Sequence, residues 1–201
     1  MRTLGVTGAV CGGKSTLARM LADRGARLVD ADAIAHEVLD RPEVRERLVA
    51  AFGASILGPT DRINARALGQ RAFADAASLK RLTDVVYPPI REALADRLDR
   101  LHAQDDAPVV LDAPTLYEAG CEHLVDRVAT VEAPPEVCEA RARARGWIAG
   151  EVARREELKL PAQERRRRAD YVVENTGTLD ELARAAQDLW SWLAHEAAGK
   201  V

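Results

Sequence analysis

Apolar positions along this chain come in two spacings. Short continuous runs alternate with longer stretches at helical spacing. Residues 2–7 (RTLGVT) read as a buried strand that runs into Gly8. In residues 15–24, Leu17, Met20 and Leu21 fall on one helical face, and Gly25 closes the helix. Residues 26–30 read as a second strand, ending in Asp30-Ala31-Asp32. Strand, glycine loop, helix and strand make a βαβ unit, which calls for a parallel sheet.

The stretch from Ile34 to Gln104 is helical in pattern, with no strand expected in it. Helices are predicted over 43–52 and 65–73. Two more, over 75–86 and 90–103, are separated by Pro88-Pro89, because proline lacks the N–H that would continue a helix. Strands return at 108–112 (PVVLD), 127–131 (RVATV) and 171–174 (YVVE). Between the last two lie arginine-rich helices at 135–145 and 150–159. A closing amphipathic helix over 179–194 lines up Leu179, Leu182, Ala186, Leu189 and Leu193. The run RRRR at 165–168 reads as a solvated helix face. The pattern predicts an α/β fold with a five-stranded parallel sheet and a long helical insertion.

Composition narrows the classes. The 201 residues fit one domain carrying an inserted subdomain. Net charge is −3, where a general nucleic-acid coat would be basic, so no nucleic-acid partner is expected. No apolar run approaches the roughly 18 residues of a membrane span, and MRTLGVTGAVCGGKS does not read as a secretory leader. Cys11, Cys121 and Cys138 include no CxxC pair, and the four histidines show no HExxH spacing. A disulfide framework and a zinc site are therefore not expected, and a cytoplasmic location is. Lys14, Lys80, Lys159 and Lys200 are the lysines among 29 basic residues, so a lysine inside a motif is informative.

One such motif is present. Gly8-Ala9-Val10-Cys11-Gly12-Gly13-Lys14-Ser15 matches G-x-x-x-x-G-K-[ST] between a predicted strand and helix. Composition of this kind would produce it by accident roughly once per thousand such chains. Glycines let the backbone wrap phosphate oxygens, and the helix after the loop adds its positive end. Lys14 is suited to β- and γ-phosphates and Ser15 to Mg²⁺. No NKxD base-reading motif accompanies it, which argues against a GTPase. A motor or AAA-type ATPase would be longer. Small size, the insertion after strand two and the arginine-rich helices favour a small-molecule kinase. There the insertion would hold the acceptor and the arginines would form a lid.

Several residues fit that chemistry, each beside a plainer reading. Asp30 and Asp32 alternate at a strand end and so share a face. Asp32, farther out, can accept the proton of an attacking hydroxyl; the plainer reading is a helix N-cap. Asp112, ending PVVLD, reads either as a metal-directed carboxylate or as a cap for the segment after the strand. Arg141 and Arg145, four apart, share a helix face and suit phosphate, as do Arg154 and Arg155 in the next helix. Asn175-Thr176-Gly177 is a turn placed to approach a nucleotide base.

In order along nearly the whole chain, GAVCGGKST, VDADAIAHEVL, TDRINARALGQRAFAD, LTDVVYPPIREAL, VVLDAPTLYEAG, the Arg141/Arg145 spacing and ADYVVENTGTLDEL resemble the dephospho-coenzyme A kinase family. The resemblance implies a P-loop kinase three-layer sandwich. Its core would be residues 1–32, 107–143 and 169–201, its helical acceptor-binding insertion 33–106 and its lid 144–168. It implies ATP and dephospho-CoA as substrates, with Mg²⁺, in a monomer or weak homo-oligomer. It assigns ATP to Gly8, Ala9, Val10, Cys11, Gly12, Gly13, Lys14, Ser15, Thr16 and Asn175, and the base role to Asp32. Arg141 and Arg145 would serve the phosphates. The acceptor would meet Asp32, His36, Tyr87, Pro88, Thr115, Leu116, Tyr117 and Glu118.

The chain departs from that family's pattern at named places. Cys11 and Gly12 replace Gly and Ser, Tyr87 replaces His, Thr115 and Tyr117 bring hydroxyls to an apolar stretch, and Lys159 stands in place of Gln. These departures bear on acceptor affinity and rate. Cys11, in an anion-binding loop beside Lys14, is expected to react with alkylating reagents and to be protected by ATP. Three other readings stand beside this one. They are a kinase of another small hydroxyl acceptor, a nucleotide-binding module without transfer, and an acceptor-independent ATPase switch.

Overall fold

The computed structural model describes residues 2–198. The chain divides into two units, one of Met1–Asp30 with Leu98–Val201 and the other of Ala31–Arg97. The first holds a five-stranded parallel sheet, as the pattern predicts, with strand order β2-β3-β1-β4-β5. Its strands are β1 (Thr3–Gly8), β2 (Arg27–Asp30), β3 (Val109–Asp112), β4 (Arg127–Glu132) and β5 (Tyr171–Glu174). β1 pairs with β3 on one side and β4 on the other. The inner strands are apolar runs because both their faces are covered.

The helices are α1 (Lys14–Ala22), α2 (Ala31–Leu39), α3 (Pro42–Phe52), α4 (Ala65–Ala72), α5 (Ala76–His102), α6 (Pro135–Ala144), α7 (Glu151–Glu156), α8 (Ala162–Arg168) and α9 (Leu179–Ala198). One face of the sheet is covered by α1 and α9. Leu17 and Leu21 meet Leu182, Ala186, Leu189 and Leu193 over Leu4, Val6 and Val131. Across the sheet, Gly5 leaves just enough room for Leu116 and Val125. At the far end of α5, the Thr3 hydroxyl and His102 Nε2 are 2.9 Å apart.

The unit of residues 31–97 is helical. Its buried residues include Val44, Leu48 and Phe52 of α3 and Leu68 and Ala72 of α4. Asn64 starts α4, its Oδ1 accepting from the N–H groups of Arg66 and Ala67, each at 3.1 Å. Leu57 and Ile63 form an isolated bridge, not a strand.

Three expectations about elements are corrected. Helix α5 runs through Pro88 and Pro89. The missing N–H groups are outweighed by Val86, Ile90, Leu94 and Leu98, buried at every fourth position. Asp30 and Asp32 do not share the face of an extended strand, because α2 begins at Ala31 and turns the chain at once. The run 165–168 is not wholly solvated, since Arg165 is 1% exposed.

Candidate active site

The loop between β1 and α1 is built for an anion. Gly8 holds φ at +136°, and a Cβ there would stand 2.1 Å from the Val131 carbonyl oxygen. Gly13 holds φ at +107°, with Asn175 Nδ2 only 2.2 Å from where a Cβ would be. Neither position admits a side chain. The Ala9 N–H donates to Val131 O at 2.9 Å and the Gly12 N–H to Ala9 O at 2.9 Å, which closes the loop. No side chain caps α1, and no acidic residue sits in its first turn. Its first N–H groups are therefore open to an anion.

Lys14 is buried, and its Nζ donates to Ala9 O at 2.7 Å and to Gly8 O at 3.3 Å. Burial pushes its ammonium below the ordinary lysine range, against the opposing charges of Asp112 and Glu156. The lysine is thus curled into the loop, against neutral carbonyls that phosphate oxygens would outcompete.

Side chains that sequence reasoning missed converge on the same loop. Glu156 of α7 accepts the Val10 N–H on Oε2 at 3.0 Å. Its Oε1 accepts from Arg165 at 2.6 Å. Arg165 also forks onto Glu132, 2% exposed at the end of β4, with both N···O distances 2.8 Å. The Thr130 hydroxyl donates to Glu132 Oε1 at 2.6 Å. Burial alone would push the Arg165 guanidinium down, but the two carboxylates more than reverse it, so it stays charged. Helix α8, the tip of β4, α7 and the loop are thereby tied by charge. An acid closing the apolar run RVATV was the available signal for Glu132, just as Asp112 closes PVVLD.

On the other side of the loop lie Asn175 and the arginines of α6. Asn175 is buried and donates Nδ2 to Gly12 O at 2.7 Å. Arg141 donates to Gly12 O at 3.2 Å and Asn175 O at 3.1 Å, so it braces the loop. Arg145 is exposed, with a guanidinium nitrogen 3.8 Å from Cys11 Sγ. Cys11 is buried, which limits the reagent access expected of it. Gly13, Thr16, Arg141, Arg145, Asn175 and Leu182 help line a cleft of about 240 Å³. Thr16, Leu179 and Leu182 give it an apolar and hydroxyl wall, suited to an adenine ring.

Asp112 is buried beside β2, where its register partner is the exposed Asp30. Ser15 is exposed on the first turn of α1. Among the described residues no group of three or more His, Cys, Asp or Glu forms a metal cage. Mg²⁺ in phosphoryl-transfer sites uses one or two protein oxygens with phosphates and water. A hydroxyl at Ser15 and the Asp112 carboxylate, whose charge reaches Lys14, are donors of that kind.

Beyond β3, Thr115 is exposed and Leu116 is 0% exposed. Leu116 packs over Gly5, so it is a core side chain with no surface to offer an acceptor. The Tyr117 hydroxyl and Glu118 Oε2 are buried without a hydrogen-bond partner. Burial pushes the Tyr117 phenol up to about 12. Glu118 Oε1 accepts the Leu160 N–H at 2.6 Å. The remaining expected site residues belong to the other unit. Asp32 and His36 are exposed on α2, with His36 Nδ1 2.7 Å from Asp32 O, while Tyr87 and Pro88 are partly buried on α5.

A five-stranded parallel sheet, a glycine loop leading into an uncapped helix and an arginine-bearing helix beside it define a P-loop kinase. The dephospho-CoA kinase family matches residues 2–181. The chain belongs to that family. It is 40% identical over 192 residues to a dephospho-CoA kinase of Anaeromyxobacter dehalogenans, covering 94% of this chain and 90% of that one. It resembles a solved structure from Thermus thermophilus at 36% identity and a TM-score of 0.79, over 96% of this chain and 97% of that one. It shares its fold with the dephospho-CoA kinase from Campylobacter jejuni at 22% identity and a TM-score of 0.72, over 98% and 100% of the two chains.

Proposed function

We propose that this protein transfers the γ-phosphoryl group of ATP to the ribose 3′-hydroxyl of dephospho-CoA, giving CoA and ADP. The observation that carries this reading is the anion-ready loop, with Lys14 folded into it, in a chain of this family. The first N–H groups of α1 and the Lys14 ammonium hold the β- and γ-phosphates. The adenine lies in the cleft beside Asn175 and Leu182. Arg145, exposed and one turn from the bracing Arg141, meets the transferring phosphoryl group.

The residues assigned to the acceptor are Asp32, His36, Tyr87 and Pro88 in the unit of residues 31–97, and Thr115, Tyr117 and Glu118 in the other unit. The lid is residues 144–168. The 3′-oxygen attacks the γ-phosphorus, the bond to the β-phosphate bridging oxygen breaks, and Asp32 takes the hydroxyl proton. Ser15 and Asp112 would hold Mg²⁺, which would supply charge neutralisation to the phosphates. The reaction belongs to the cytoplasm.

The test is ADP release from ATP–Mg²⁺ with and without dephospho-CoA, with mass analysis of the product. The expected result is ADP formed only with the acceptor, and a product heavier by one phosphoryl group. ADP release without acceptor, or an inert dephospho-CoA beside another reactive alcohol, defeats the reading.

A further inference from the structure

Two lysines meet on one oxygen of the loop. Lys159 Nζ donates to the Gly8 carbonyl, which also accepts from Lys14 Nζ at 3.3 Å. Two ammonium groups held to one oxygen stand within roughly 6 Å of each other. Such a pair is repulsive, and a neutral carbonyl is a weak partner for it. Among the described residues, no nearby carboxylate has a hydrogen bond to Lys159, although Glu118 Oε2 has no hydrogen-bond partner. Glu132 is forked by Arg165, Glu156 accepts from Arg165 and the Val10 N–H, and Glu118 Oε1 takes the Leu160 N–H.

The position of Lys159 is fixed by its neighbours. It lies just past α7, its N–H donates to Glu156 O at 3.0 Å, and Leu160 is held on both sides. The Leu160 N–H goes to Glu118, and its carbonyl accepts from Arg165 at 2.6 Å. The backbone is therefore clamped while the side chain reaches the loop. That reach is to the loop's beginning. The cleft for the base lies at the other end, at Gly13 and Thr16. A nucleotide laid from cleft to loop brings its outermost phosphate toward Gly8 and Val10.

We infer that Lys159 is a second phosphate-binding lysine of this loop, leaving the Gly8 carbonyl for the γ-phosphate when ATP is bound. The inference rests on the kinase reading above and names a binding residue beyond Lys14. Glu156, which holds the Val10 N–H, is the loop's internal anion, and the phosphate takes its place. The titration of Lys159 supports this assignment. Burial, then the charges of Lys14 and Arg165, lower its ammonium to about 7, against the opposing pull of Glu156 and Glu118. A phosphate partner raises it again, so ATP binding takes up a proton near pH 7.5.

The experiment is calorimetric titration of ATP and ADP, with Mg²⁺, into the wild-type chain, Lys159→Gln and Lys159→Arg. Each is run in buffers of different ionisation heat. In Lys159→Gln the ATP Kd rises about 10-fold or more while the ADP Kd moves less than about 2-fold. The wild-type proton uptake of roughly half a proton or more disappears with it. Lys159→Arg keeps the preference for ATP and shows no uptake, since a guanidinium is always charged. ADP affinity serves as the check that each variant is folded. An unchanged ATP-to-ADP ratio in Lys159→Gln, or unchanged uptake, overturns the inference. If the wild type binds ATP and phosphorylates dephospho-CoA in that case, the kinase reading survives alone. A wild-type chain that binds no ATP defeats both.

Discussion

The proposed reaction gives Lys14 the binding of phosphates and Asp32 the proton, so their replacement should separate binding from transfer. Lys14→Ala removes a buried ammonium hydrogen-bonded to the loop itself. It should lower kcat/KM for ATP by about 10²-fold or more, as loss of a preorganised charge does. Asp32→Asn should leave the ATP Kd within about 2-fold and slow kcat by about 10²-fold. Steady-state kinetics with both substrates reads the two apart. A near-normal kcat in Asp32→Asn would mean that positioning suffices without a base. Lys14 was legible because a lysine is rare here and the motif surrounds it. Glu156 and Lys159 were not. Their partners in the loop, Val10 and Gly8, lie more than 140 residues away in the chain, and no local spacing records such a contact.

Single elements show where local rules yield to burial. Helix α8 carries four consecutive arginines, three of them at least partly exposed and one sealed. Composition cannot tell the four apart, and only the carboxylates of β4 and α7 select Arg165. Arg165→Met leaves Glu132 charged, buried and without its guanidinium. That should cost about 3–5 kcal/mol in urea unfolding. Replacing Glu132 by Met in the same chain should recover much of the loss, since the stranded charge is what costs. An equal loss in both variants would assign the effect to packing. Helix α5 misled for a related reason. The proline penalty is local, whereas the stripe Val86, Ile90, Leu94 and Leu98 acts over four turns.

Over the molecule as a whole, strand number and parallel direction were legible because short apolar runs alternate with helices after a glycine loop, whereas the strand order was not read from the sequence. The start of α2 was not, because Asp30-Ala31-Asp32 is compatible with a strand end or a first helical turn. Cys11, Cys121 and Cys138 are all buried, and none is in a disulfide. The unfolding midpoint should therefore be the same with and without a thiol reductant, and a shift would reveal a disulfide that this fold does not contain. All five strands point the same way, and that common direction divides the labour of the sheet. At one margin Asp126 holds the N–H groups of Arg2 and Thr3, and Asp170 holds that of Val128. At the opposite margin stand Gly8, Asp112, Glu132 and, just past β5, Asn175. A carboxylate at the first margin is a fastener and one at the second an instrument. Tinkering with the former alters how long the protein lasts, and tinkering with the latter alters what it can make.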